Sequence, residues 1–308
     1  MTTATLTAVP STGGRAWLIN ALTTVVLWGF WGAFSGLSPK HGFPDTLVYC
    51  VWALTMVPPA LLVLGLTGWK LDPSPRAVAY GLAVGLLGAG GQMVLFYAVA
   101  RGPAYLIFPI ISLSPVVTIA LSFVILRERT GRRGVLGIIL ALLALPTFDF
   151  ATGSGGSAIW LLPALLVMLC WGVQAYFMKA ANNLMSAESI FFYMMLTGLL
   201  LTPVAWAMTD RTQAINWAAD GPLLAAGIQL LNAIGALTLV FAFRHGKAII
   251  VAPLANAGAP LATAIISMIV LGVMPGPVKL VGIGLALIAS LLLAIEPDAE
   301  DSSAATWS

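Results

Sequence analysis

Ten side chains carry most of the recognisable chemistry, and nine of them stand well inside long apolar runs: Trp28, Trp31, Gln92, Trp171, Gln174, Tyr193, Gln229, Asn232 and Asn256, with Asn20 near the start of the first run. Rings, amides and a phenol can hold an uncharged or zwitterionic molecule with a large apolar portion, but they do not break bonds unaided. A hydrolase in such surroundings needs a nucleophile with a base, or a metal cluster. The two histidines, His41 and His245, stand at the ends of apolar runs, and Cys50 and Cys170 show no metal or redox spacing. None of the eleven acidic residues, Asp45, Asp72, Glu128, Asp149, Glu188, Asp210, Asp220, Glu296, Asp298, Glu300 and Asp301, lies in the middle of a run. The expected chemistry is recognition rather than catalysis, with no cofactor, no metal and no buried carboxylate to relay protons.

The elements that position these side chains follow from composition. Of 308 residues, 60% are hydrophobic and 8% charged, and the mean hydropathy is +0.99, so a water-soluble globule would lack the polar surface to cover itself. Charge-free stretches such as 16–39, 46–69, 77–100, 102–126 and 221–243 each exceed the roughly 20 residues with which a helix crosses a bilayer. Helix is required there because lipid offers no partner to bare backbone groups. The net charge of +3 does not indicate nucleic acid, because the basic residues sit in short connections between apolar runs.

Punctuation by proline, glycine and charge predicts ten spans, at 17–36, 46–66, 77–99, 104–126, 134–150, 158–180, 188–207, 221–243, 248–272 and 278–295. Residues 1–16 form an expected disordered cytoplasmic N-terminus, 17–150 a first five-helix repeat, 151–157 a linker, 158–295 a second repeat, and 296–308 an acidic cytoplasmic tail. Ten basic residues, including Arg127, Arg129, Arg132 and Arg133, fall on the side of the N-terminus; four, Lys40, Arg101, Arg211 and Lys279, fall on the other. That bias places both termini in the cytoplasm. The halves also echo each other: Trp28-Gly29 recurs as Trp171-Gly172 after 143 residues, Gly102 and Pro109 as Gly246 and Pro253 after 144, and Pro115, Gly131 and Gly137 as Pro260, Gly276 and Gly282 after 145. Five spans per copy is an odd number, so the second copy enters from the opposite side. The predicted architecture is an all-α membrane protein: ten transmembrane helices as two inverted five-helix repeats around a central cavity.

At 100° per residue, Asn20, Thr24, Trp28, Trp31 and Ser35 fall within an arc of about 80°, beside a small-residue face of Gly29, Gly32, Ala33 and Gly36. The first arc is expected to border the cavity, and the second to contact a helix. Comparable faces are Gly81, Gly85, Gly88 and Gln92; Trp171, Gln174, Met178 and Asn182; Ser186, Ser189, Tyr193 and Thr197; and Pro253, Asn256, Pro260, Thr263 and Ser267, with Gln229 and Asn232 on the eighth span. Ordinary helix packing and bonding of Ser or Thr to their own helix remain alternatives. Pro109 and Pro115 in the fourth span and Pro253 and Pro260 in the ninth predict kinks at matching places, where broken helices offer carbonyls to a polar solute. Trp17, Trp69, Trp160, Trp206 and Trp217 lie near span ends, where an interfacial belt is expected.

The Trp-Gly pairs, the Gly102 to Pro115 segment and "RERTGRRGVLGIILALLAL" from Arg127 to Leu145 resemble the drug/metabolite transporter superfamily, EamA-type, across residues 17–295. Within it, the tryptophan-rich first span is similar to the YddG-type branch of aromatic amino acid exporters. The resemblance implies a multi-pass inner-membrane exporter of amino acids, a basket-like bundle with alternating access, and no cofactor. One departure is Leu271-Gly272-Val273, where that family often has a Gly-Glu pair.

The resulting expectation is a facilitative or weakly coupled exporter of neutral amino acids, aromatic and other large apolar ones among them. Its partners are the small-molecule solute and the lipid bilayer, with no nucleic acid, and the chain is expected to be a monomer. Export of another small metabolite or drug, or a channel-like pore, remains open at this point.

Overall fold

A computed structural model describes residues 16–121, 132–149, 159–182, 184–245, 248–272 and 274–294. The terminal segments, the 151–157 linker, Glu128, Arg127 and Arg129 lie outside the described residues. All regular secondary structure among the described residues is helical, as backbone in an apolar solvent must be. In order it forms α1 (Ala16–Phe34), α2 (Leu37–Lys40), α3 (Asp45–Thr55), α4 (Val57–Leu66), α5 (Pro75–Arg101), α6 (Ala104–Ile111) and α7 (Ser114–Leu121), then α8 (Arg132–Asp149), α9 (Leu161–Asn182), α10 (Ala187–Leu200), α11 (Thr202–Ala207), a π-helical turn at Ala219–Leu223, α12 (Leu224–His245), α13 (Ala248–Leu271) and α14 (Pro277–Ala294).

Local sequence sets the boundaries. Ser74 caps α5, its Oγ accepting from the Ala77 amide at 3.2 Å, and Pro75 occupies a first-turn position where its missing N–H costs nothing. Ser186 caps α10 through the Ser189 amide at 3.2 Å, with Glu188 in the first turn, where the helix dipole favours an acid.

Six helical stretches among the described residues are long and apolar enough to cross a membrane: Leu18–Lys40, Asp45–Leu66, Pro75–Arg101, Leu161–Met178, Ala187–Ala207 and Ala219–Leu239. Gly258–Leu271 and Leu280–Ala289 are shorter apolar helices. Helix thus occurs in each of the ten expected stretches, but length and hydropathy qualify six of them. The fourth is divided, with α6 ending at Ile111 and α7 beginning at Ser114, and the described part of the fifth includes Arg132, Arg133 and Asp149.

The divided fourth stretch bears on the proline expectation. Pro109 lies inside α6, which stops at Ile111, and α7 resumes at Ser114. The ninth stretch behaves differently: α13 runs without interruption through Pro253 and Pro260. The matching break expected there is therefore absent. Proline removes one N–H, but neighbouring turns can keep a membrane helix continuous.

Packing repeats in mirror fashion. α1 lies against α12 and α13, α9 lies against α5, α6 and α7, and α8 lies against α14. The contacts match in detail. Trp28 of α1 rests on Gly235 of α12, where an added Cβ would meet its ring at 2.5 Å; Trp171 of α9 rests on Gly91 of α5, where an added Cβ would meet Nε1 at 2.6 Å. Gly29 is pressed against Ala262 at 2.6 Å and Gly172 against Val117 at 2.5 Å, by the same measure. The partners stand 144 and 145 residues apart, repeating the drift seen in the sequence. The small-residue face of α1 is the helix contact expected of it.

A bulky side chain at either seat must displace an indole. Gly91→Leu and Gly235→Leu should each destabilise the detergent-purified protein by roughly 1–3 kcal/mol, the usual cost of overpacking. Gly90, with nothing within 4 Å of an added Cβ, is the control: Gly90→Ala should leave the thermal midpoint unchanged or raise it, because alanine favours helix over glycine by roughly 0.5–1 kcal/mol. Equal melting of all three variants would contradict the packing.

Candidate functional site

The polar and aromatic arc of α1 is turned toward α12. Thr24 Oγ1 donates to the Gly235 carbonyl at 3.1 Å and lies 2.8 Å from Thr238 Oγ1. Trp28 Nε1 donates to the Asn232 carbonyl at 3.2 Å, and Trp31 Nε1 to Gln229 Oε1 at 2.8 Å. Trp31 is buried and meets Phe108 edge-on, with ring centroids 5.7 Å apart. The arc expected to border a cavity is packed against a neighbouring helix in this structure. Glycine at 235 lets the indole approach, and the amides of α12 satisfy its N–H.

Trp52 of α3 joins this cluster by donating to Asn232 Oδ1 at 3.2 Å. It was missed in the sequence, although its place in the middle of the second expected span set it apart from the interfacial tryptophans. Asn20 sits one turn before Thr24, its carbonyl accepting from Thr24 Oγ1 at 3.0 Å.

The second cluster is built from α5, α9 and α10. Trp171 Nε1 donates to the Gly88 carbonyl at 3.4 Å. This reproduces the Trp28 bond: in both halves the indole donates to the carbonyl three residues before the glycine on which it rests. The glycine stripe of α5 receives side chains along its length, Gly81 against Tyr193, Gly85 against Thr197 and Gly88 against Gln174. Gln92 is buried on the same helix. Tyr193 reaches past the end of α5, its hydroxyl donating to the Asp72 carbonyl at 2.9 Å.

The structure thus gathers Trp28, Trp31, Gln229 and Asn232 in one cluster, and Trp171, Gln174 and Tyr193 along the α5 stripe that also carries Gln92. Trp31, Trp52 and Phe108 belong to a continuous core against which Trp171 also packs. Asn256 falls on α13, and the side chains of Asn256, Pro115 and Pro253 lie outside the described residues. Thr263, on the same expected line, donates weakly to the Trp28 and Gly29 carbonyls, both at 3.3 Å.

Two buried amide nitrogens have no acceptor among the described residues: Nε2 of Gln92 and Nε2 of Gln229, on residues 5% and 1% exposed. A buried donor without an acceptor costs roughly 1–3 kcal/mol, so such groups call for a reason. Around them the described spans supply indole, amide and hydroxyl groups. No group of three or more His, Cys, Asp or Glu able to hold a metal occurs among the described residues.

Each end of the bundle carries a clasp. At one end, the α4–α5 loop closes on the start of α10: Asp72 Oδ2 accepts from the Ser186 amide at 2.9 Å and the Ser189 hydroxyl at 3.2 Å, while the Asp72 amide faces Ser189 Oγ at 3.2 Å. At the other, the loop after α11 closes on the α2–α3 turn. There the Asn216 amide donates to the Gly42 carbonyl at 3.1 Å, and Asn216 Nδ2 to the His41 carbonyl at 2.8 Å and to Asp220 at 2.9 Å. Thr46 and Thr209 meet at 2.8 Å, and Arg101 pairs with Asp45 at 2.7 Å. Asn216 stands 144 residues beyond Asp72, so the clasps occupy equivalent places in the two halves.

The interfacial tryptophans divide. Trp69, Trp206 and Trp217 are exposed, as a belt requires. Trp160 is buried, packed onto Gly102 at the start of α6. It is a packing residue, because the glycine leaves room for its ring inside the bundle.

The sequence profile of the EamA-like transporter family matches twice, over residues 15–146 and 158–295. An uncharacterized protein of Methanocaldococcus jannaschii is 29% identical over 70 residues, which cover 23% of this chain and 51% of that protein. The chain thus spans about half the length of this relative. A solved structure titled "Crystal structure of protein" superposes with a TM-score of 0.63 at 17% identity, covering 91% of this chain and 98% of that one, a likeness of fold. Two family matches in tandem, each over one of the halves that pack in mirror fashion, identify the chain as a multi-pass membrane protein that belongs to the EamA-like transporter family.

Proposed function

We propose that the protein exports neutral amino acids, favouring aromatic and other large apolar side chains, by alternating access between two inverted five-span halves. The observation that carries this reading is the pair of buried amide donors on Gln92 and Gln229, which have no acceptor among the described residues, set in a framework of indoles. A carboxylate supplies the acceptors those amides lack, and an aromatic or aliphatic side chain suits the rings of Trp28, Trp31, Trp171 and Tyr193. Asn20, Gln174, Asn232 and Asn256 complete the proposed contacts. The helix break after Pro109 is the gating element of the first half, with Pro115, Pro253 and Pro260 as further hinge positions.

In this reading all ten helical stretches cross the inner membrane, both termini are cytoplasmic, and the chain works as a monomer. Residues 17–150 and 158–295 form the two repeats. The paired clasps favour a carrier over a pore: with Asp72 bonded at one end and Asn216 at the other, passage requires the two to open in turn. Absence of an acidic residue from the middle of the expected spans favours movement down a solute gradient over tight proton coupling.

Removing one orphan donor should separate transport from stability. In proteoliposomes, Gln92→Leu should raise the half-saturating concentration for phenylalanine by roughly ten- to hundredfold, the worth of a hydrogen bond to a charged group, while the thermal midpoint stays level or rises. Unchanged uptake with a lowered midpoint would make Gln92 a packing residue only. An imposed pH gradient should leave the steady-state phenylalanine ratio near unity; uphill accumulation driven by that gradient would refute weak coupling.

A further inference from the structure

At the end of the bundle where Lys40 and Arg101 stand, the chain forms a half-open cavity of about 300 Å3, between the last turns of α1, α5 and α13 and the start of α6. That volume lies at the lower end of sites for small molecules. Part of the wall is apolar, from Ala33, Leu37, Val99 and Val270. Three polar features converge on it.

Ser267 lines the cavity, is 1% exposed, and its Oγ has no hydrogen-bond partner among the described residues. A helical hydroxyl usually bonds back to its own helix, as Thr197 does to the Tyr193 carbonyl at 2.9 Å; Ser267 does not. Lys40 also lines the cavity, is exposed, and has no acidic partner among the described residues. The third feature is the N-terminus of α6: Pro103 precedes it and no side chain caps it, so its first amide groups leave partial positive charge beside Ala104.

Charge selects the class of ligand. Arg101 borders the cavity, but its guanidinium is committed to Asp45 at 2.7 Å, to the Tyr97 carbonyl at 3.1 Å and to the Tyr97 ring at 3.6 Å. Arg101 and Asp45 cancel, so among the described residues that line the cavity Lys40 carries the one uncompensated charge, which matches a monoanionic group better than a dianion. A buried hydroxyl in the wall, an exposed lysine and an uncapped helix N-terminus around one space suit carboxylate oxygens, and the apolar wall suits a side chain attached to them.

We propose that this cavity is a second solute subsite, separate from the amide and indole clusters, which holds the carboxylate of an amphipathic amino acid at the face carrying Lys40. The assignment rests on the amino acid reading above and adds where the solute pauses on that face. A lipid phosphodiester is also a monoanion, so the test must separate the two sources.

Leu271, 40% exposed at the cavity wall, serves as the reporter. With Cys50 and Cys170 replaced by alanine, Leu271→Cys is labelled by a membrane-impermeant maleimide in vesicles of defined lipid. Phenylalanine should slow labelling by roughly tenfold, the scale of a hydrogen bond to a charged group, and phenylalaninamide, which lacks the carboxylate, should not. Lys40→Gln and Ser267→Ala should each abolish that protection. Protection that survives both substitutions overturns the proposal, as does a labelling rate set by the phosphatidylglycerol content and indifferent to phenylalanine. Protection without phenylalanine transport supports the subsite while refuting the carrier reading; phenylalanine transport without protection overturns the subsite alone.

Discussion

The structure depends on one contact made twice: an indole laid on a glycine of the facing helix, its N–H bonded to the carbonyl one turn earlier. Trp28 on Gly235 joins α1 to α12, and Trp171 on Gly91 joins α9 to α5. Without the glycines the helices would stand a side chain further apart, and Thr238 and Gln229, the hydroxyl and amide partners of Thr24 and Trp31, would be out of reach. In lipid, close approach of this kind largely replaces the hydrophobic drive that holds soluble bundles together. The interaction therefore sets both the architecture and the place where polar groups gather.

Symmetry of the seats does not extend to every group around them. Trp31 occupies in the first half the position that Gln174 holds in the second, and Gln229 corresponds to Gly85. One half thus presents an indole bonded to an amide, the other an amide folded onto glycine. The fourth helical stretch is broken after Pro109, whereas α13 is continuous through both of its prolines. The clasps differ as well, one built on the carboxylate of Asp72 and one on the amide of Asn216. Two halves of equal fold but unequal chemistry suit a transporter whose two faces meet different solutions.

Much of this was legible in the sequence, because helix periodicity and a tandem repeat are local signals. The arc from Asn20 to Ser35, the small-residue face of Gly29 and Gly32, and the Trp-Gly offsets all lead to contacts that the structure contains. The partner of each face was not legible. Pairing Trp28 with Gly235 requires knowing which of several small-residue helices approaches, and periodicity on one helix says nothing about another. Trp52 and Trp160 show the same limit: one lay mid-span and joined the Asn232 cluster, the other lay at a span end and was buried against Gly102. Pro253 and Pro260 predicted kinks, and α13 runs through both as one helix, since proline removes a single bond from a helix that retains the rest.

A carrier with clasps at both ends must exchange solute one molecule at a time, and a pore need not. The most direct measurement is counterflow: proteoliposomes loaded with unlabelled phenylalanine and diluted into a trace of labelled phenylalanine. The account requires a transient accumulation of label above its external concentration, saturable by unlabelled solute. Label that only equilibrates, together with ionic conductance in a planar bilayer, would contradict it.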